Sequence, residues 1–188
     1  MSEKHLSQLD LQKLYNKEVK LRGKKEILKT LVEQKPESEY EIKNSVFLSH
    51  SHLDKTIVEK AAILFKNIRL GVYIDWLDSS LPSQTNHQTA TTIKYKIDNC
   101  KKFIFLATYN ALKSKWCNWE LGLAYASRGE KDFAVLPVES RAGRWPGNEY
   151  LNLYPEIRIQ GIDDLDINTI QVNMPSGTEV SLNDWLIL

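Results

Sequence analysis

The segment Ser114–Gly122, which reads SKWCNWELG, places a single acid among aromatic side chains. Trp116 and Glu120 are four residues apart, so on a helix they share one face, and Trp119 lies beside them. Burying a carboxylate without a partner is costly. We therefore expect Glu120 to line a cleft, to accept hydrogen bonds or to have a raised pKa, as site carboxylates do. The spacing equally fits a helix whose indoles fill the core while Glu120 is solvated.

A second candidate segment, Tyr73–Pro82, reads YIDWLDSSLP and runs from an apolar strand into a turn-forming loop. Loops at strand ends often carry binding residues. Asp75 stands at this strand end, where its carboxylate can contact a ligand. An aspartate at such a position can equally cap the turn, and the sequence alone leaves both readings open.

Several kinds of site are excluded by missing motifs. The chain has neither G-x-G-x-x-G nor G-x-x-x-x-G-K-[ST], the loops that hold phosphates in Rossmann dehydrogenases and P-loop enzymes. Its four histidines form no H-E-x-x-H pattern, and its two cysteines lack the spacing of a structural zinc site, so we predict no metal. A receiver domain would need acids after the first strand and an Asp after the third, where Ser49-His50-Ser51 and Ala107-Thr108 stand instead.

Composition indicates an ordinary globular protein. The chain has 188 residues, 42% of them hydrophobic and 26% charged, with a formal net charge of +1. Roughly 100–200 residues form one domain, so we expect a single core. The near-zero charge gives no reason to expect nucleic acid or an anionic membrane as partner. Two cysteines suit a reducing compartment, and no apolar run approaches the ~18–20 residues of a membrane helix. We expect a cytoplasmic protein.

From residue 45 short apolar runs alternate with longer amphipathic ones, which is typical of βαβ units around a parallel sheet. Ser114 is expected to cap the helix that carries Glu120, and Gly129 to end it. A further cap is expected at Ser181. The predicted strands are Ser45–Ser49, Gly71–Ile74, Lys102–Ala107, Phe133–Val138, Glu156–Ile162 and Thr169–Asn173.

Residues 3–34 have leucines at helical spacings, with an interruption expected at Gly23. Pro36 and its acidic neighbours predict a linker near residues 34–42. We therefore divide the chain into a helical extension with linker, residues 1–42, and a main domain with a C-terminal extension, residues 43–188. The first helix either covers the main core or pairs with another protein, and the sequence does not decide between the two.

Four segments taken together resemble a TIR (Toll/interleukin-1 receptor) domain of the bacterial type. The resemblance covers residues 44–165, and its most specific element is the W-C-x-x-E-L pattern at Trp116–Leu121, supported by F-[IL]-S-H at Phe47–His50. The segments are Phe47–Lys55, Gly71–Pro82, Lys102–Ala124 and the AVLPV that follows.

This resemblance implies a flavodoxin-like α/β fold with a five-stranded parallel sheet flanked by helices. For enzymatic members it implies cleavage of the nicotinamide–ribose bond of NAD⁺, here with a role in bacterial antiphage defence signalling. NAD⁺ is then the substrate, and no separate cofactor is expected. The catalytic glutamate falls on Glu120 and the nicotinamide-side aromatic on Trp116. The other substrate-binding residues expected in the same cleft are Ser49, Tyr73, Asp75 and Trp119.

The resemblance also implies self-association, because the loop at about residues 77–89 corresponds to the one through which TIR domains pack head to tail. The residue chemistry agrees with NAD⁺ cleavage: nicotinamide departs as a neutral molecule, so one carboxylate can suffice where ordinary glycosidases use two. Hydrolysis and cyclisation both remain open. Two other functions are considered, a non-catalytic TIR adaptor that acts by homotypic packing and a glycosidase or transferase for other nucleosides.

Overall fold

The computed structural model describes residues 5–33, 38–78, 86–140, 142–143, 145, 147 and 149–188. The first part of the predicted linker, residues 34–37, and residues 79–85 of the predicted packing loop lie outside the described residues. No helix in the described ranges is long and apolar enough to cross a membrane.

A mostly parallel sheet with helices on both faces forms the protein. Within the described ranges the strand order is β3-β2-β4-β5-β6-β7-β8, with β1 paired to β5. The strands are β1 (Leu6–Ser7), β2 (Val46–Ser49), β3 (Val72–Tyr73), β4 (Lys102–Ala107), β5 (Phe133–Glu139), β6 (Glu156–Arg158), β7 (Gln171–Asn173) and β8 (Glu179–Ser181). The helices are α1 (Gln8–Arg22), α2 (Lys24–Glu33), α3 (Glu39–Asn44), α4 (Lys55–Asn67), α5 (His87–Asn99), α6 (Tyr109–Lys113), α7 (Lys115–Arg128) and α8 (Leu182–Ile187).

The predicted α/β fold is confirmed. Strands β3, β2, β4, β5 and β6 run parallel, whereas β7 and β8 extend the sheet in antiparallel register. The predicted strand over residues 102–107 has the observed bounds, and the one predicted over residues 156–162 ends at Arg158. The parallel strands bring their carboxyl ends to one edge, where a site is expected in this class of fold.

Alternation along the strands gives the sheet an aliphatic face and an aromatic face. Residues such as Leu48 and Ile104 point to the aliphatic face, which α1 and α4 cover. On the other face the rings of Phe47, Phe103 and Phe133 stack in a row at centroid distances of 5.4 and 5.0 Å. Because Ser49 follows Phe47 by two residues, its side chain points to the aromatic face, against which α7 packs.

The N-terminal residues pack onto the same core. Leu6 and Ser7 pair with Val138 and Glu139 at the end of β5, beyond the point where β6 pairs with that strand. Leu11 of α1 is fully buried in the aliphatic cluster, next to α4. The first helix therefore covers the core, one of the two roles considered for it, and the division of the chain at residue 42 stays a prediction.

The C-terminal residues also contribute to the core. The Trp185 side chain is fully buried beneath the sheet, and the Lys102 ammonium lies 5.2 Å from its ring centre. That lysine, itself buried, also donates a hydrogen bond of 2.6 Å to Asp132. Ser181 caps α8, as expected, by accepting a hydrogen bond from the Asp184 amide. The extension beyond residue 166 thus completes the aliphatic side of the molecule.

Candidate active site

Helix α7 places Glu120 against the carboxyl end of β2. Ser114 caps this helix by accepting a hydrogen bond from the Cys117 amide, and Gly129, with a φ of 75°, ends it. Leu121 and Ala124 bury one stripe of the helix against the aromatic face. Glu120 comes one residue before Leu121, so it is carried to the edge of that buried stripe, with only 2% of its surface exposed.

Ser49 is a hydrogen-bond donor to this buried carboxylate. The Ser49 hydroxyl, at the last position of β2, donates a 2.5 Å hydrogen bond to Glu120 Oε2. The net pKa of Glu120 is raised to about 7, because burial raises it by more than the Ser49 hydrogen bond lowers it. At neutral pH the group is thus poised between its acid and base forms, which suits acid–base and charge-stabilising chemistry.

Next to Ser49, the ring of His50 links β2 to the end of β3. Its Nδ1 lies 2.8 Å from the Leu48 carbonyl oxygen, and its Nε2 lies 3.2 Å from Asp75 Oδ1. Burial is the largest influence on the pKa of His50 and lowers it, but the hydrogen bond and charge of Asp75, the Leu48 carbonyl and the charge of Glu120 together outweigh burial, so the net pKa is raised. For Asp75 burial raises the pKa, but the hydrogen bond and charge of His50, together with the Trp76 amide and the charge of His52, outweigh burial, so the net pKa is lowered.

Two indoles adjoin the carboxylate on the outer side of α7. The rings of Trp116 and Trp119 lie 4.9 Å apart between centroids, tilted by 36°. Trp116 is half-buried and lowers the pKa of Glu120 through a side-chain hydrogen bond, whereas Trp119 is 40% exposed. The pair therefore forms an aromatic surface that extends from the carboxylate to solvent.

Tyr73 is buried within the aromatic face of the sheet. It is 1% exposed, its ring stacks on Phe47 at 5.5 Å, and its hydroxyl donates a 2.8 Å hydrogen bond to Asp78. The Lys96 ammonium of α5 lies 3.6 Å from Asp78 and 5.0 Å from the Tyr73 ring centre. These contacts anchor the chain just after β3, and a contact of Tyr73 with substrate stays a prediction.

A buried carboxylate, Asp54, braces the loops that follow β2 and β4. It accepts hydrogen bonds from the Thr108 hydroxyl and, at 2.7 Å, from the Asn110 side-chain amide. Thr108 in turn caps α6 by accepting a hydrogen bond from the Ala111 amide at 3.0 Å. The turn that follows Ser49 and His50 is therefore connected to the loop after β4 by side-chain hydrogen bonds, in addition to the pairing of β2 with β4 in the sheet.

The structure brings together four of the predicted site residues, Glu120, Ser49, Trp116 and Trp119, and connects Asp75 to them through a histidine. Sequence reasoning missed His50 as a site residue, although it quoted the F-L-S-H segment that contains it.

The described residues include no group of three or more histidine, cysteine or acidic side chains able to hold a metal ion. Both cysteines are buried, and burial raises the pKa of Cys117 to about 12, so this thiol is no nucleophile at neutral pH.

The sequence model of the TIR domain family matches residues 46–168. The chain belongs to the TIR domain family. The TIR domain match contains Ser49, Asp75, Trp116 and Glu120, and it excludes β1, α1 and the C-terminal helix.

Two bacterial relatives of this TIR domain protein have provisional names that state an activity. One, from Bacillus cereus (strain MSX-D12), is named 3′ cyclic ADP-D-ribose synthase ThsB′ and is 30% identical over 145 residues, 75% of this chain and 74% of the relative. The other, from Cytobacillus dafuensis, is named cyclic ADP-D-ribose synthase TIR2 and is 30% identical over 79 residues, 40% of this chain and 21% of the relative.

Proposed function

We propose that this protein cleaves the bond between nicotinamide and ribose in NAD⁺ and closes the ADP-ribose part into a cyclic product. The observation that carries the proposal is the Glu120 carboxylate, buried beside the Ser49 hydroxyl with a pKa of about 7. The names of two relatives, both cyclic ADP-ribose synthases, support the choice of substrate and product class. Hydrolysis to open ADP-ribose is the competing outcome at the same site.

The reaction needs only one carboxylate. The glycosidic C–N bond breaks, its electron pair leaves with nicotinamide, which becomes neutral, and the ribose carbon becomes an oxocarbenium-like cation. Ionised Glu120 stabilises this developing positive charge, and electrostatic contacts of this kind contribute about 3–4 kcal/mol to a transition state. A nucleophile, either on the same ADP-ribose or from water, then forms the new bond and releases a proton, which a carboxylate of pKa about 7 can accept.

Trp116 and Trp119 provide the surface for the flat, cationic nicotinamide ring. An indole face attracts such a cation by about 0.5–2 kcal/mol. The attraction fades as nicotinamide becomes neutral, so this contact assists binding more than it lowers the barrier. Because Glu120 is 2% exposed, a covering group must move before substrate reaches it, and the exposed Trp119 stands at the outer side of the site.

Assembly is part of the proposal. The resemblance to enzymatic TIR domains implies that copies of the chain pack head to tail through the loop at residues 77–89 and that this packing completes the site, so we expect turnover to rise with protein concentration. At the start of that loop, Asp78 accepts a hydrogen bond from Tyr73 and lies 3.6 Å from the Lys96 ammonium. A role in antiphage signalling follows if the cyclic product acts on a partner protein.

Product identity tests the proposal. The full chain, at several concentrations, is incubated with NAD⁺ and separately with other nucleosides, and products are identified by mass spectrometry. We expect equal amounts of nicotinamide and a cyclic ADP-ribose isomer from NAD⁺. Open ADP-ribose would assign the chain as a hydrolase, base release from another nucleoside would change the substrate, and no turnover at any concentration would leave a packing adaptor.

A further inference from the structure

Both ring nitrogens of His50 face groups that only accept hydrogen bonds. Nδ1 lies 2.8 Å from the Leu48 carbonyl oxygen, and Nε2 lies 3.2 Å from the Asp75 carboxylate. A neutral imidazole has one N–H, whereas the imidazolium has two. The His50 side chain is only 3% exposed, so water is not available to replace either partner. The geometry therefore favours the doubly protonated, positively charged ring.

The surroundings hold this ring and its partner in place. The Trp76 and His50 rings lie 4.7 Å apart between centroids and nearly perpendicular, at 83°, and the Trp76 amide donates a 2.7 Å hydrogen bond to Asp75. Asp75 thus has two hydrogen-bond donors fixed by neighbouring backbone and ring contacts. Such a pair keeps one geometry, in contrast to a flexible surface ion pair.

The charges of this pair act on Glu120 in opposite directions. The negative Asp75 disfavours ionisation of Glu120, and the positive His50 favours it. Other titratable side chains near the pair are His52 and Asp54, in the turn after β2; His52 is exposed and Asp54 is buried. Since the charge of one carboxylate disfavours ionisation of another nearby, the positive charge of His50 favours ionised Glu120 in the presence of ionised Asp75.

We propose that His50 is a positioning residue that, as an imidazolium, neutralises Asp75 and fixes it at the end of β3, so that Glu120 can carry the negative charge that the reaction uses. This inference rests on the proposed NAD⁺ cleavage. His50 acts through Asp75 and Glu120, without contact with the reacting atoms.

The pH dependence of turnover distinguishes this role from a merely structural one. In His50→Gln the charge of Asp75 is no longer balanced, so Glu120 ionises at a higher pH. In a plot of kcat/KM against pH, the rise on the acidic side, here called the acidic limb, should move to higher pH by about one unit. At a pH below this rise, kcat/KM should therefore fall about tenfold. Adding Asp75→Asn removes the unbalanced charge, and the limb of the double variant should return to the wild-type position even where the rate is lower. His87→Gln, at an exposed histidine of α5, should leave the limb in place.

A second measurement determines the charge of His50 and does not depend on an activity assay. Long-range ¹H–¹⁵N spectra of the full chain, with the His50 signals assigned from their absence in His50→Gln, report how many ring nitrogens carry protons. We expect both to be protonated at pH 6.5 in the wild type and only one in Asp75→Asn. A neutral His50 in a chain that cleaves NAD⁺ would overturn this inference and leave the proposed function standing.

Two further outcomes would overturn it. An acidic limb that stays in place in His50→Gln would remove the charge-balancing role, as would a limb that Asp75→Asn does not restore in the double variant. A chain that cleaves no NAD⁺ under any condition would remove the proposed function, and the spectra would then assign the imidazolium to fold stability alone.

Discussion

Replacing Glu120 by glutamine should make the protein more stable at alkaline pH. Folding raises the pKa of this carboxylate from 4.5 to about 7, because the folded chain buries it. At one pKa unit per 1.36 kcal/mol, ionising the buried group costs the folded state about 3 kcal/mol. Glutamine has nearly the same shape, remains neutral, and its side-chain oxygen can still accept the Ser49 hydroxyl.

The sign of the effect depends on pH in a defined way. A group with a raised folded pKa favours the folded state fully below its unfolded value, here 4.5, and this contribution is lost as the pH rises through about 7. Glu120→Gln should therefore raise the free energy of unfolding by up to about 3 kcal/mol at pH 8.5 and by about 1 kcal/mol at pH 5. At pH 4 the difference should nearly vanish. In a chain of 188 residues this corresponds to about 6–12 °C in Tm at pH 8.5.

Thermal and urea unfolding of both proteins between pH 4 and 8.5 measures this difference, provided that unfolding is reversible. Glu179→Gln is the matched control, because the same change is made at an exposed residue of β8, where surface substitutions stay within about 0.5 kcal/mol. Equal stabilities at pH 8.5, or a gain that does not change with pH, would refute the reasoning that burial drives the protonation of Glu120.

Three further predictions follow from contacts around the site and in the core. Ser49→Ala removes the hydroxyl that favours ionised Glu120, so the acidic limb of kcat/KM should move to higher pH, and an unchanged limb would contradict the 2.5 Å contact. Trp119→Ala should raise KM by about 2- to 30-fold with a smaller change in kcat, whereas Trp119→Phe should keep most of the affinity; a loss confined to kcat would argue against a binding role. Leu6→Ala, at a residue 3% exposed, should lower the free energy of unfolding by about 2–5 kcal/mol, while Leu9→Ala, at a residue 49% exposed, should have little effect; equal effects would mean that β1 is not part of the core.

The central strands and helix ends could be predicted because local signals decide them. Lys102–Ala107 is a compact apolar run, and the caps at Ser114 and Ser181 depend only on neighbouring amides. By contrast, β1 and β8 lie among polar residues, in HLSQ and GTEVS, so no apolar run marks either of them in the sequence. These strands exist because β5 and β7 offer free edges to them, which depends on residues distant in sequence.

The site shows the same division between local and distant effects. The spacing of Trp116 and Glu120 on one helix predicted that they lie together, and the family resemblance added Ser49, whose hydroxyl contacts the carboxylate. The sequence could not reveal that the Tyr73 hydroxyl donates a hydrogen bond to Asp78, because that contact depends on the path of the chain after β3. Nor could it show that both ring nitrogens of His50 face acceptors, because one acceptor is the Leu48 carbonyl of β2 and the other is Asp75, which follows β3.

The rate of nicotinamide release from NAD⁺ by wild type and by Glu120→Gln tests the central claim most directly. Both proteins are assayed at the same high concentration, with circular dichroism and Tm establishing that the variant is folded. Loss of about 3–4 kcal/mol of transition-state stabilisation should lower the rate at least 10²- to 10³-fold. A folded Glu120→Gln protein that releases nicotinamide at the wild-type rate would contradict the assignment of the reaction to this carboxylate.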